Sequence, residues 1–386
     1  MDIYNKAVEQ KSYMTKVRRS LHQIPELGME EYETSAYIKN ELRKSGIEYI
    51  ETANTGIIVT LGPVISKKTL ALRADMDGLR IIEKNNVDYI SKNENNMHAC
   101  GHDGHMASLL GAVMILHENE NKLKNRVKII FQPSEEDCRG AQAIIDERHL
   151  DDVDEIFGLH IFTDIDSSNI SVESGYRMAN SLNFSVEFKG KSGHAGKPQL
   201  CKDTVVCASA FVMNLQSIVS RKLDPIRSGV VTIGKIRGGS AHNIVAGETL
   251  LEGTARFFTD DVGKMIKNEI INIANSTGII YGCEPAINFR TASHPSVIND
   301  EELTKDFVDF INKNVTELSY KMTKVPPMML GEDFSNYQKF VKGVFAFVGG
   351  RNEKIGCIYQ NHHEKFNFDE EALINAAALY VAFAMR

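Results

Sequence analysis

Apolar positions fall into two rhythms along the chain. In the N-terminal part they form near-continuous runs of strand length, at 56–61, 69–72, 127–131 and 155–159. Tyr32, Ala36, Ile38 and Leu42 share a helical face, and Gly46 stands where that helix should stop. A long apolar segment at 104–116 predicts a buried helix between the second and third runs. Strands that are apolar on both faces and alternate with helices imply a parallel sheet covered on both sides. From Leu182 the period becomes two, because Leu182, Phe184, Val186 and Phe188 alternate with polar residues as in a strand with one wet face. A helix at 203–220, strands at 229–236 and 248–258, a helix at 260–276 and a strand at 284–290 follow. That β-α-β-β-α-β order is the split βαβ, or ferredoxin-like, arrangement. After His294-Pro295 the first rhythm returns, with a helix at 301–314, a strand at 343–348 and a last helix at 369–385. The expected fold is α/β: a mixed, mostly parallel sheet domain built from 1–179 and 292–386, interrupted by a smaller α+β domain at 180–291.

Composition narrows the classes. A chain of 386 residues exceeds what one hydrophobic core serves, so two or three domains are expected. Its 42% hydrophobic and 25% charged residues exclude a disordered or collagen-like chain. A net charge of −7 argues against binding a nucleic-acid backbone. No apolar run approaches the roughly 20 residues that span a bilayer, and the opening MDIYNKAVEQ lacks the cationic and then apolar order of a secretory signal. Six scattered cysteines then read as reduced thiols of a cytoplasmic protein.

Chemistry concentrates where the parallel strands should end, which is where open α/β sheets bind ligands. The run at 69–72 leads into Arg73, Asp75 and Asp77, the run at 127–131 into Gln132, Glu135 and Glu136, and the run at 155–159 into His160. Between them stands His98-Ala99-Cys100-Gly101-His102-Asp103-Gly104-His105. Imidazole, thiolate and carboxylate together suit borderline divalent ions such as Zn, Mn, Ni or Co. Cys100 and His102 are two apart, so an extended loop points both side chains the same way. A Cys100 thiolate can bridge two ions, with His102, Glu136 and His160 around them, and the pair His362-His363 offers the remaining ligand. Asp77 and Asp103 are suited to orient ligand imidazoles. A metal needs only one of Glu135 and Glu136, which leaves the other to take a proton from water at neutral pH. The rival reading is a structural zinc site, but such sites are closed four-ligand sets rich in cysteine. His98 and His105 read as packing or hydrogen-bonding residues, and His117 and His149 as solvent-facing. The other cysteines read as packing or surface residues.

Further short motifs join this loop: Arg18-Arg19-Ser20-Leu21-His22-Gln23-Ile24-Pro25-Glu26, the runs 72–77, 98–103 and 132–136, Gly158-Leu159-His160, Gly193-His194-Ala195, Gly331-Glu332-Asp333-Phe334 and His362-His363. Together they resemble the M20 metallopeptidase family, in its aminoacylase, hippurate hydrolase and indole-acetyl-amino-acid hydrolase branch. The resemblance implies two divalent metal ions held by Cys100, His102, Glu136, His160 and His362, with Cys100 bridging and Glu135 as general acid/base. It makes the inserted segment a lid through which subunits pair as a homodimer. His194 then stabilises the oxyanion, often from the partner subunit, while Asn243 and Arg256 hold the substrate, Arg256 through a bidentate grip on a carboxylate. The implied reaction is hydrolysis of an N-acyl amino acid to a carboxylic acid and a free amino acid. A dipeptidase or carboxypeptidase on the same centre is the alternative. The chain departs from the family pattern at Ser134, at Gly78-Leu79-Arg80, at Asn243-Ile244-Val245-Ala246, and at Asn361 and Glu364. None of these removes a matched ligand, and all bear on pocket shape and substrate preference.

Overall fold

In the computed structural model, which describes residues 1–290 and 294–386, the apolar runs of the N-terminal part assemble into one seven-stranded sheet. Its strands are β1 (Tyr49–Thr52), β2 (Gly56–Leu61), β3 (Thr69–Asp75), β4 (Arg126–Gln132), β5 (Glu155–Asp166) and β6 (Ile170–Ser171), joined by Lys342–Arg351 from far along the chain. Their order is β1-β2-β4-β3-β5, then Lys342–Arg351, then β6. The central strands β4, β3, β5 and Lys342–Arg351 are parallel, and antiparallel pairs close both ends. Every residue of β3 is buried, as a strand covered on both faces should be.

Helices α1 (Ile3–Glu9), α2 (Lys11–His22), α3 (Tyr32–Lys44), α4 (His102–Glu118) and α5 (Gly140–Asp146) belong to the same unit, with Glu301–Asn314 and Ala372–Met385. Helix α4 and Ala372–Met385 are apolar around almost their whole circumference, so each is buried rather than half-exposed. They pack on one another, and α2 packs on α4. Two glycines set the approach of α4. A Cβ on Gly104 would lie 2.5 Å from the Phe368 ring, and one on Gly111 would lie 2.5 Å from Met14 Sδ.

The structure corrects several element boundaries. The apolar pattern predicts a strand ending at His160, yet β5 runs to Asp166 because Lys342–Arg351 stays paired with it that far. Strand β3 likewise continues through Asp75, which places Arg73 and Asp75 inside the sheet. Helix α2 is not evident from the pattern, since Arg18 and His22 are buried on the same helix as Met14, Val17 and Leu21 and blur its period. The helix expected at 203–220 stops at Leu215, and a π-helical turn, Ile218–Lys222, follows.

A second unit comprises Met178–Ser296 and Pro327–Gly331. The expected domain boundary between 291 and 292 lies outside the described residues. This unit carries a four-stranded antiparallel sheet in the order Gly229–Gly238, Glu248–Phe257, Asn180–Lys189, Glu284–Arg290. Its helices Thr204–Leu215 and Asp260–Tyr281 share a core of their own with that sheet, including Phe184, Val186, Phe188, Phe211, Ile266 and Ile270. Asp203 caps the first helix by accepting from the N–H groups of Val205 and Val206. Gly282, at φ +68°, ends the second.

Candidate metal centre

Four separated stretches of the first unit converge beyond the carboxyl ends of β3 and β4, against β5. Cys100 Sγ lies 3.3 Å from His160 Nε2. Glu136 Oε1 lies 3.3 Å from His362 Nε2 and 3.9 Å from His102 Nε2. The donor atoms of Cys100, His102 and His160 lie within 4.8 Å of one another, and so do those of Cys100, Glu136 and His362. Cys100 thus belongs to both trios, and Glu135 forms a further trio with His102 and Glu136. Of the two adjacent histidines, His362 meets this group, whereas His363 stacks on Tyr359.

The backbone is bent to present these side chains. Gly101, at φ +89°, makes the turn between Cys100 and His102. Ser134 (φ +55°), Cys138 (φ +59°) and His362 (φ +68°) are left-handed without being glycine. Such residues cost on the order of 1–3 kcal/mol each and cluster at functional sites. The Ser134 N–H donates to Glu31 Oε1 at 2.8 Å, its hydroxyl bonds Asp137, and its carbonyl accepts from the N–H groups of Arg139 and Gly140. Those bonds hold the loop that carries Glu135 and Glu136. The His362 N–H donates to the Ala99 carbonyl at 2.7 Å, tying the C-terminal stretch to the cysteine loop.

His102 and His160 each turn Nε2 inward because Nδ1–H donates to a backbone carbonyl. His102 Nδ1–H donates to the Asp77 carbonyl at 2.9 Å, with Asp77 Oδ1 at 3.2 Å, and His160 Nδ1–H donates to the Ile161 carbonyl at 2.9 Å. Asp77 Oδ2 also accepts the Glu136 N–H at 3.0 Å, so one aspartate braces two members of the group. Among the described residues, the buried His102 Nε2 and Glu136 Oε1 have no hydrogen-bond partner. Buried polar atoms are rarely left so. An orphaned imidazole nitrogen and carboxylate oxygen beside a buried thiol fit divalent cations.

Electrostatics separates the two adjacent glutamates. Burial, reinforced by Glu332, Glu136 and Asp333, pushes Glu135 well above the usual carboxylate range. Burial acts on Glu136 in the same direction, but His362 and His102 hold it below its ordinary value. Burial also works to lower His102, yet Asp75, Asp77 and Glu136 around it raise it to about 10. His160 is pushed well down, by burial and then by His105. Burial and the nearby Glu136, Glu135 and Asp75 push the Cys100 thiol well up.

Around these groups stands a buried network of Arg73, Asp75, His105, Gln132, Glu332 and Asp333, of which the sequence pattern assigns a role, packing or hydrogen bonding, to His105 alone. The available signal was Arg73 and Asp75 directly after an apolar run. His105 is a hydrogen-bonding residue, as the pattern suggests.

In the second unit, His194 pairs with Ile244 across a short antiparallel ladder, and the Ala195 N–H donates to the Asn243 carbonyl at 3.1 Å. The Gly196 N–H donates to His194 Nδ1 at 2.9 Å, so Nδ1 is the acceptor and Nε2 the donor nitrogen of this exposed ring. Arg256 lies on Glu248–Phe257, paired with Ser181. A Cβ on Gly331 would stand 3.1 Å from the Arg256 guanidinium and 2.6 Å from the His294 ring.

Comparison with known proteins gives consistent matches. The sequence pattern of Peptidase family M20/M25/M40 matches residues 71–386. The N-acetyl-L-cysteine deacetylase of Bacillus subtilis (strain 168) is 36% identical over 371 residues, which cover 96% of this chain and 87% of that protein. The N-acetyldiaminopimelate deacetylase of Oenococcus oeni is 36% identical over 368 residues, covering 93% of this chain and 94% of that protein. The crystal structure of the Bacillus subtilis YXEP protein, described as a dinuclear metal binding peptidase from the M20 family, superposes with a TM-score of 0.83 at 29% identity and covers 98% of each chain.

Proposed function

The chain belongs to peptidase family M20/M25/M40, and from that premise we propose that it is a metal-dependent amidohydrolase cleaving N-acyl amino acids to a carboxylic acid and a free amino acid. The carrying observation is the pair of donor trios that share Cys100, with Glu135 standing beside them. Cys100, His102, Glu136, His160 and His362 would hold two divalent ions, and Zn, Mn, Ni or Co each suit that donor set. When bound, such ions polarise a carbonyl and lower the pKa of water. Glu135 takes the proton of the attacking water and returns it to the leaving amine, a task that suits a carboxyl raised by its surroundings. His194 offers Nε2–H to the developing oxyanion, worth ~3–4 kcal/mol for a donor of this kind. Arg256 grips the free carboxylate of the amino acid, and Asn243 also holds the substrate.

The second unit serves in this reading as a ferredoxin-like lid over about 180–291 that pairs two subunits into a homodimer. Its separate core and its strand order support the ferredoxin-like arrangement. All six cysteines are free thiols, which suits a cytoplasmic enzyme. Among the described residues no helix is long and apolar enough to cross a membrane.

Glu135→Gln should retain its metal, measured by elemental analysis, and lose about 10²–10⁴-fold in kcat. Substantial residual turnover would remove Glu135 from the role of base. The relatives' names favour acyl substrates over peptides, so N-acetyl and N-benzoyl amino acids should outpace dipeptides in a panel on metal-loaded protein. The reverse order would make the chain a dipeptidase or carboxypeptidase.

A further inference from the structure

Behind the donor trios runs a series of buried hydrogen bonds that the reaction scheme above does not use. Ile161, whose carbonyl holds His160 Nδ1–H, donates its own N–H to His105 Nε2 at 2.9 Å. His105 Nδ1–H donates to Asp75 Oδ1 at 2.7 Å, and Asp75 Oδ2 accepts from Arg73 at 2.7 Å. The second terminal nitrogen of that guanidinium donates to Asp333 Oδ1 at 2.8 Å and stands 3.1 Å from Glu332 Oε1, while Nε donates to Gln132 Oε1 at 2.8 Å. Asp333 also accepts from Gln132 Nε2 and from the Ala141 N–H. Its own N–H donates to Glu135 Oε1 at 3.2 Å. Arg73, Asp75, His105 and Asp333 are fully shielded from solvent.

We propose that Arg73 is a positioning residue that holds the Glu135 carboxylate and the His160 imidazole in place from a single guanidinium. The proposal rests on the amidohydrolase reading above. A planar fork braces two carboxylates and an amide from three separate nitrogens in fixed directions, a spread that the single-point ammonium of lysine does not offer. On one side the fork anchors Asp75, which sets the His105 tautomer. That ring then receives the Ile161 N–H and packs edge-on against His160 at 4.6 Å between centroids. On the other side it anchors Asp333, whose side-chain bonds fix the turn that aims a backbone N–H at Glu135. Misplacement of a reacting group by an ångström is enough to cost large factors in rate.

The test uses full-length, metal-loaded Arg73→Lys, Asp333→Asn and His105→Gln. It measures kcat and KM on an N-acyl amino acid, the metal dissociation constant by chelator competition, and folding by circular dichroism. Arg73→Lys should fold, lose about tenfold or more in kcat with little change in KM, and bind metal about tenfold or more weakly. Asp333→Asn should lower kcat alone, and His105→Gln should weaken metal binding. A folded Arg73→Lys with unchanged kcat and metal affinity, or with only a lower melting temperature, overturns the proposal. If Arg73→Lys does not fold, the other two variants decide, and parent values in both overturn it. Glu135→Gln separates this failure from that of the underlying reading. An active Glu135→Gln removes the base assignment, whereas an inactive one beside a normal Arg73→Lys overturns the role of Arg73 alone.

Discussion

Glu31 lies behind the loop that carries Glu135, with the Thr55 hydroxyl on one oxygen at 2.5 Å and the Ser134 N–H on the other at 2.8 Å. Burial raises its pKa, those two bonds pull it back and Asp77 adds to the rise, leaving it at about 7 against an ordinary 4.5. A folded-state value above the unfolded one means that the fold favours the protonated form. The contribution is fully present below about pH 4.5 and is lost as pH rises through about 7. The gap corresponds to ~3 kcal/mol. Glu31→Gln should therefore gain stability relative to the parent by up to that amount between pH 4.5 and 8, read from urea unfolding at both pH values. Parallel curves would show that Glu31 stays ionised at little cost. At this scale the side chains that converge were legible because thiol, imidazoles and carboxylates crowd short motifs. The bracing by Arg73 was not, because its partner Asp333 lies 260 positions away and only the folded sheet brings them together.

Elements were legible where one apolar period ran undisturbed, as in β2, β3, β4 and α4. Their ends were less so, because pairing with a distant strand rather than local pattern decides where β5 stops. Helix α4 carries two glycines with different surroundings, and these make opposite predictions. At Gly104 an added methyl meets the Phe368 ring and Ile161 Cδ1 at 3.0 Å, both packed in the core. Gly104→Ala should then cost about 1–3 kcal/mol through overpacking. At Gly111 the obstacle is the flexible end of Met14, which can turn aside. Gly111→Ala should be near neutral, because alanine's helix propensity recovers up to ~1 kcal/mol. Thermal melts of the two variants check the contrast, and equal losses would refute it.

For the molecule as a whole, the central prediction concerns the ions. Glu332, Glu136, Asp333 and Asp77 all act on the buried Glu135, and Glu136, Glu135 and Asp75 act on the buried Cys100, while among the described residues the permanent cation facing these carboxylates is Arg73. Stripping the protein with a chelator should abolish turnover. Adding back Zn, Mn, Co or Ni should restore it and raise the melting temperature by several degrees, since an ion at a hundred times its dissociation constant adds about 2.7 kcal/mol. A melting temperature indifferent to chelator and ion would speak against any tightly held cation. The α/β character and the change of rhythm near Leu182 were plain from the sequence. The place of Lys342–Arg351 beside β5 was not, because spatial order in a sheet is free to depart from chain order.

That late strand bears on how the protein is made. The converging groups run from Cys100 to His362, and His362 follows Lys342–Arg351 in the chain. On the ribosome it emerges after every other member of the group, and after the whole second unit. A nascent chain thus carries the thiol and the first imidazoles with nothing to close the pocket around them. With His362 in the ligand role proposed above, the capacity to cut amides switches on only when translation has passed that point.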